Sequence, residues 1–247
     1  MKRLTRAPSA ALLLDYDGTL APFRVDRSHA LPYCGMVSVL QRIADSGKTR
    51  LAIISGRPVV ELKSLLAPLH VEIWGATGLE RLMPDGSYTE AAIGREALEL
   101  LSQAKAKIVQ AGLMSMAEIK RGSIAMHWRG IPAGKAESAA TLIRKLWRPF
   151  AGSPPLRLLD FDHGVELRVA HPDKGDAVST ILNEVGSQAQ IAYLGDDFTD
   201  EDAFSALNGR GLNVLVRPEY RKTIAQAWLK PPGELAAFLE SWLHHRS

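Results

Sequence analysis

The sequence predicts an α/β protein with a parallel-sheet core interrupted by an inserted α+β unit. Three observations carry this expectation. Short, largely apolar runs at 11–15, 50–54 and 191–194 each end in a polar loop, as strands buried on both faces do. Segments of helical periodicity alternate with these runs, which is the pattern of a parallel sheet. From about 80 to 167 the alternation gives way to hairpins and helices in turn. The expected core is therefore discontinuous, 1–79 with 168–247, and the insertion spans 80–167.

The elements follow in chain order. After the strand at 11–15, a helix over 37–44 carries Val37, Leu40, Ile43 and Ala44, and Gly47 stops it. The strand at 50–54 runs into Ser55-Gly56. Pro58 suits the first turn of a helix bearing Val59, Leu62, Leu65 and Leu66, and 71–74 reads as the third strand. The insertion opens on a hairpin over 82–90 around Pro84-Asp85-Gly86, followed by a long helix over 93–111. Strands at 115–119 and 123–128 pair across Arg121-Gly122, a helix covers 135–149, and strands at 156–161 and 165–169 pair across Asp162-His163-Gly164. The core resumes with a helix over 175–185, where Val178, Ile181, Leu182 and Val185 form one stripe. Strands at 191–194 and 212–216 and an amphipathic helix at 235–243 close the chain.

Bulk properties exclude several classes of function. A chain of 247 residues is long enough for one domain plus an insertion. Thirty basic against 27 acidic residues give a formal charge of +3, too small an excess for nucleic acid without a concentrated basic stripe. The runs at 144–148 and 217–222 read as solvated faces, although a mildly basic field helps attract an anionic substrate. The single cysteine, Cys34, cannot form an internal disulfide and is expected as a small packing residue in a reducing compartment. The opening residues superficially resemble a signal peptide, but their apolar run at 10–14 is short and Asp15 interrupts it. No apolar stretch approaches the ~20 residues that span a bilayer. The expectation is a cytoplasmic protein with neither a membrane nor a nucleic-acid partner.

In open parallel sheets, ligands bind at the carboxyl ends of the strands. Here one strand ends in Asp15-Tyr16-Asp17-Gly18-Thr19, the second in Ser55-Gly56-Arg57, and the last inner one in Gly195-Asp196-Asp197. Lys174-Gly175 opens the helix before that last strand. Carboxylates, a hydroxyl and an ammonium thus converge on one crevice. Carboxylates so crowded repel one another unless a cation neutralises them, and magnesium, a hard oxygen-seeking ion, meets that need. Each piece also has a plainer reading. Asp17-Gly18 is a common turn, and Ser55 could be only a strand-end hydroxyl. Thr199 with Asp202 three residues on reads as a capping box, and Asp200 and Glu201 suit the positive end of that helix. Capping does not explain Asp196 and Asp197, which precede it, and Lys174 at a helix start is electrostatically unfavourable.

The blocks Asp15-Tyr16-Asp17-Gly18-Thr19-Leu20, Ser55-Gly56-Arg57, Lys174-Gly175 and Gly195-Asp196-Asp197-Phe198-Thr199-Asp200-Glu201-Asp202-Ala203-Phe204 resemble the four motifs of the haloacid dehalogenase-like hydrolases. The first and last also resemble those of the trehalose-6-phosphate phosphatases. The resemblance implies a Rossmann-like core with a mobile α+β cap, and a magnesium-dependent phosphatase acting on a small sugar phosphate. In that scheme Asp15 is the nucleophile, and Asp17 is the acid and then the base. Asp15, Asp17 (through its backbone carbonyl) and Asp196 hold the metal, with Asp197 and Asp200 orienting its waters. Ser55, the amide of Gly56 and Lys174 bind phosphate, near a helix N-terminus.

The stretches Glu118-Ile119-Lys120, His127-Trp128-Arg129 and Val165-Glu166-Leu167-Arg168 match the charged sugar-binding segments of the same family. They make Glu118, Lys120 and Glu166 the first candidates for sugar hydroxyls, with Arg57, His127, Arg129 and Arg168 behind them. Two departures bear on which sugar is read: Thr77-Gly78-Leu79-Glu80 stands where His-Gly-x-Glu is usual, and Val169 stands where proline is common. Sucrose phosphate and mannosyl-phosphoglycerate phosphatases are alternative readings, and a phosphomutase uses the same four motifs. A phosphorylatable receiver needs neither the second motif nor the insertion. A non-catalytic binding module has no need of both Asp15 and Asp17.

Overall fold

The computed structural model describes residues 10–151, 154–161 and 163–246. The signal-peptide-like opening up to residue 9, and Asp162 of the expected turn, lie outside the described residues. The elements in chain order are β1 (Ala10–Leu14), α1 (Met36–Asp45), β2 (Thr49–Ile54), α2 (Val59–Leu66), β3 (Glu72–Gly75), β4 (Glu80–Leu82), β5 (Tyr88–Glu90) and α3 (Arg95–Gln110). Then come β6 (Ala117–Lys120), β7 (Ser123–His127), α4 (Ala133–Trp147), β8 (Leu156–Phe161), β9 (Gly164–Val169) and α5 (Lys174–Val185). β10 (Gln190–Gly195), α6 (Glu201–Leu207), β11 (Leu212–Val216), β12 (Ala227–Leu229) and α7 (Gly233–Arg246) complete the chain.

β1 is wholly buried because its alternate residues enter two different cores. Leu12 and Leu14 pack with Met36, Leu40 and Ile43 of α1, Leu62 and Leu66 of α2, and Leu235 and Leu239 of α7. Ala11 and Leu13 pack with Val178 and Ile181 of α5 and Phe204 and Leu207 of α6. Successive strand side chains point to opposite faces, so a strand covered by helices on both sides must be apolar at every position.

The sheet runs β12-β11-β10-β1-β2-β3-β4-β5. All pairings from β12 to β3 are parallel, and β4 and β5 add antiparallel strands at one edge. The chain leaves β1 for β2 on one side and returns to β10 on the other, and such a reversal opens a crevice at the carboxyl ends of these strands.

By its internal contacts the chain forms two compact units. The first runs to Glu90 and resumes over Asp173–Asp196 and from Asp200, and the second comprises Ala91–Pro172 with Asp197–Thr199. Residues 80–90, expected to open the insertion, instead extend the first sheet. Arg81 pairs with Trp74 of β3, and Glu80 accepts the Val59 amide at 2.6 Å. In the second unit an antiparallel sheet, β6-β7-β9-β8, carries α3 and α4. Trp147 is fully buried there, its indole donating to the Ala104 carbonyl at 3.2 Å. Cys34, expected as a packing residue, is exposed, and its neighbour Tyr33 packs against the core instead. No helix of the described residues is long and apolar enough to cross a membrane.

Candidate active site

The carboxyl ends of β1, β2 and β10 bring together Asp15, Ser55 and Asp196, and the start of α5 adds Lys174. Lys174 is the hub. Its ammonium donates to Asp15 Oδ1 and to Asp200 Oδ1, each at 2.7 Å. It opens α5 under a capping box between Asp173 and Asp176, so those carboxylates offset the unfavourable meeting of a cation with a helix start. Asp200, which has no exposed surface, also accepts the Tyr193 hydroxyl at 2.6 Å and the Asp196 amide at 3.0 Å.

These contacts correct the capping reading. Asp200 sits at the N-cap of α6 without a side-chain cap bond, because its carboxylate is committed to Lys174, Tyr193 and the Asp196 amide. Thr199 lies in a short 3-10 turn before the helix. Tyr193 was hidden from sequence reading, since in an apolar strand it reads only as a core aromatic.

Burial pushes the Asp15 carboxyl up, and Lys174 only partly pulls it back. Burial would lower the Lys174 ammonium, but Asp15 and Asp200 outweigh it and hold that group charged. Asp15 Oδ2 is buried and accepts no hydrogen bond from any described residue. A buried, unpaired carboxylate oxygen is costly unless something positive meets it. Asp15, Asp196 and Asp200 each offer an oxygen, all within 4.8 Å of one another. This all-oxygen, acidic donor set with one orphaned oxygen fits a divalent cation such as magnesium. Asp17 and Asp197 are not in that trio. Asp197 Oδ1 accepts the Phe198 amide at 2.7 Å.

Two glycines give the acidic loop its shape. Gly18 has φ +83, and a Cβ there would lie 2.1 Å from Asp196 Oδ2. A Cβ on Gly195 would lie 2.4 Å from the Asp200 carboxyl carbon. Side chains at either position would push the carboxylates apart.

Arg57, an expected sugar ligand, is instead buried and clamps Asp17. Its Nε and Nη2 donate to the two Asp17 oxygens at 2.6 and 2.7 Å, and Nη1 donates to the Arg27 carbonyl and Glu61. Ser55 is buried, and its hydroxyl accepts the Arg57 amide at 3.2 Å. Gly56 lies half-buried between them. The first amide of the following helix, that of Val59, is already taken by Glu80.

The remaining candidates lie in the second unit. Register places Glu118, Ala125 and Glu166 in one row across β6, β7 and β9, and Lys120, Ser123 and Arg168 in the next. Directly paired residues share a face, so one side of this sheet carries the charged set, with His127 two residues beyond Ala125. Lys120 contacts Glu166 at 3.3 Å and Glu118 at 3.8 Å. Ser123 donates to Glu166 at 2.6 Å, and His127 Nε2 lies 2.9 Å from Glu118. Burial would raise the Glu166 carboxyl, but Lys120, Ser123 and Arg168 hold it below the usual range. Arg129 follows β7 and is half-buried.

The chain matches the family model described as trehalose-phosphatase over residues 13–228. It is 30% identical over 246 residues to the trehalose-phosphate phosphatase of Mycobacterium ulcerans, covering 94% of this chain and 60% of that protein. The chain thus spans about 60% of the length of the first curated relatives it matches. Among solved structures, the C-terminal domain of the Candida albicans trehalose-6-phosphate phosphatase superposes with a TM-score of 0.81 at 21% identity, covering 96% of this chain and 93% of that one. A haloacid dehalogenase-like hydrolase from Bacillus subtilis gives 0.67 at 15% identity over 93% of this chain and 98% of that one. At these identities the two structures speak for the fold.

Proposed function

Because the chain belongs to the trehalose-phosphatase family, we propose that it hydrolyses trehalose 6-phosphate to trehalose and phosphate, with Asp15 as covalent nucleophile and magnesium as cofactor. The observation that carries this reading is Asp15 itself. One of its oxygens is held by Lys174 at 2.7 Å, while the other is buried and accepts no hydrogen bond among the described residues, at the end of β1 beside Asp196.

Phosphate monoesters hydrolyse extremely slowly unaided, so catalysis rests on positioning and charge neutralisation. Asp15 attacks phosphorus as the bond to the sugar oxygen breaks, leaving the phosphoryl group on the Asp15 carboxylate. Lys174 neutralises charge at this carboxylate and keeps it aimed. Asp17 gives a proton to the departing sugar oxygen, then takes one from the water that cleaves the acyl phosphate. Both Asp17 oxygens accept from Arg57, so Asp17 exchanges at least one of these bonds for the sugar oxygen. Ser55 and the Gly56 amide bind phosphate oxygens. Asp15, Asp196 and the Asp17 carbonyl would hold magnesium, with Asp200 and Asp197 behind them, and the ion would supply positive charge against the phosphate and the crowded carboxylates.

Glu118, Lys120 and Glu166, supported by His127, Arg129 and Arg168, read the hydroxyls of the sugar. Charged partners suit a ring of hydroxyls and suit an apolar leaving group poorly. A cytoplasmic setting agrees with this substrate and with the single, unpaired cysteine. A phosphate-release assay over trehalose 6-phosphate, sucrose 6-phosphate, mannosyl-phosphoglycerate and glucose 6-phosphate tests the reading. Trehalose 6-phosphate should lead the panel. If another member were the better substrate, the sugar assignment would fall and the phosphatase reading would stand.

A further inference from the structure

The basic run at 217–222, which the sequence presents as a solvated face, reaches the acidic site instead. Arg221 Nε donates to the backbone carbonyl of Asp196 at 3.1 Å, and Arg217 Nη1 reaches the same oxygen at 3.3 Å. On its other side the Asp196 amide donates to Asp200 Oδ2 at 3.0 Å. The Asp196 carboxylate stands against Gly18, with no room for a Cβ there. Both backbone groups of this one residue are therefore held, and its side chain leaves from a fixed base.

Arg221 is itself tethered. Its Nη1 pairs with Glu201, whose carboxylate also accepts the Thr223 hydroxyl at 2.7 Å and the Ile224 amide at 3.2 Å. Glu201 thus ties the 217–224 segment to the start of α6, where a carboxylate also meets the positive end of the helix. A guanidinium placed on a backbone carbonyl makes a charge-assisted bond, about twice as strong as a neutral one.

We propose that Arg221, tethered by Glu201 and assisted by Arg217, is a positioning residue for the metal: it fixes the Asp196 peptide so that its carboxylate is set for magnesium. The proposal rests on the reading of Asp196 as a magnesium ligand. It carries a sign that distinguishes it from simple electrostatics. A cation beside an acidic site repels magnesium, so on charge alone its removal would tighten binding. Loss of positioning weakens binding, and partners behind metal ligands are typically worth 10–100-fold in affinity.

The test is calorimetric titration of the full chain with magnesium alone, with no substrate present. Arg221→Gln should bind magnesium about tenfold more weakly than the wild type, or worse. Arg217→Gln, which removes the longer bond, should show a smaller loss in the same direction and serves if Arg221→Gln fails to fold. Thermal unfolding of the metal-free variants separates this from a merely structural role, which would lower the unfolding temperature and leave the magnesium affinity alone. Unchanged or tighter binding in the folded variants would overturn the proposal while leaving the metal site intact. A wild-type chain that binds no magnesium would overturn the metal assignment, and the positioning role with it.

Discussion

The two polar clusters are built on opposite principles. In the first unit the acidic site is sealed: Asp15, Asp196, Asp200 and Lys174 are at most 4% exposed, and each is fixed by a short bond or a glycine contact. In the second unit the charged face of the sheet is more open. Glu118 and His127 keep 24% and 37% of their side chains exposed and pair with one another, and Lys120 also reaches Glu118, while Glu166 and Arg168 of the same face are buried. A buried, low-dielectric cluster makes each contact strong and each loss severe, whereas a half-solvated one yields graded effects. On the function proposed above, the chemistry belongs to the rigid cluster and the choice of sugar to the more open one.

Substitutions on each side test this contrast. The largest effect is expected for Asp15→Asn, which would remove the proposed nucleophile and metal ligand together. Turnover should fall by about 10⁴-fold or more for every substrate, with the fold intact by circular dichroism. Near-normal turnover would remove the basis of the contrast.

Gly18→Ala comes next. Its Cβ would clash with Asp196 Oδ2, and φ +83 costs an alanine about 1–2 kcal/mol in backbone strain alone. Activity should drop by roughly 10²-fold on small and large substrates alike, since displacing a group by about 1 Å has that scale of effect. Loss confined to the sugar phosphate would place Gly18 with the specificity side.

Arg57→Ala releases Asp17 from both of its bonds. General acid catalysis contributes about 10²–10⁴-fold, so kcat for trehalose 6-phosphate should fall by ~10²-fold. In the first step, p-nitrophenyl phosphate, whose leaving group needs no proton, should lose much less, as read from the burst of p-nitrophenol. Equal losses in that first step would mean that Arg57 does not act through the acid role of Asp17.

The smallest effects belong to the second unit. Glu118→Ala and Glu166→Ala should each lower kcat/KM for trehalose 6-phosphate by roughly tenfold or more, the worth of one charged hydrogen bond. Glu166→Ala should cost more stability as well, because its carboxylate is buried and pairs with Lys120 and Ser123. Both should spare p-nitrophenyl phosphate. A comparable loss on that ester would dissolve the division of labour.

The strands around the site were legible because burial on both faces leaves no choice of residue, as in β1, β2 and β10. Their polar ends were legible for the converse reason: Asp15, Asp196 and Lys174 have no place in an apolar element. The contacts between distant segments were hidden. The three-residue strands β4, β5 and β12 carry too little pattern to reveal their pairing, and the capping of Val59 by Glu80 depends on it. Thr199 to Asp202 has the local form of a capping box, yet Lys174 and Tyr193 claim Asp200 from elsewhere in the chain. Likewise, Arg221 is one cation in a basic run until folding lays it on the Asp196 carbonyl. Periodicity records which face is buried. It does not record which buried polar groups meet.

The covalent role of Asp15 is the claim on which the rest depends, and it is open to direct observation. Asp17→Asn removes the base that prepares water for the second step while leaving the nucleophile in place. Rapidly quenched with trehalose 6-phosphate and magnesium and examined by peptide mass spectrometry, this variant should carry a phosphoryl group on the peptide containing Asp15, and the label should vanish in the Asp15→Asn, Asp17→Asn double variant. A phosphoryl group on any other residue, or steady phosphate release at the wild-type rate without an adduct, would contradict the account.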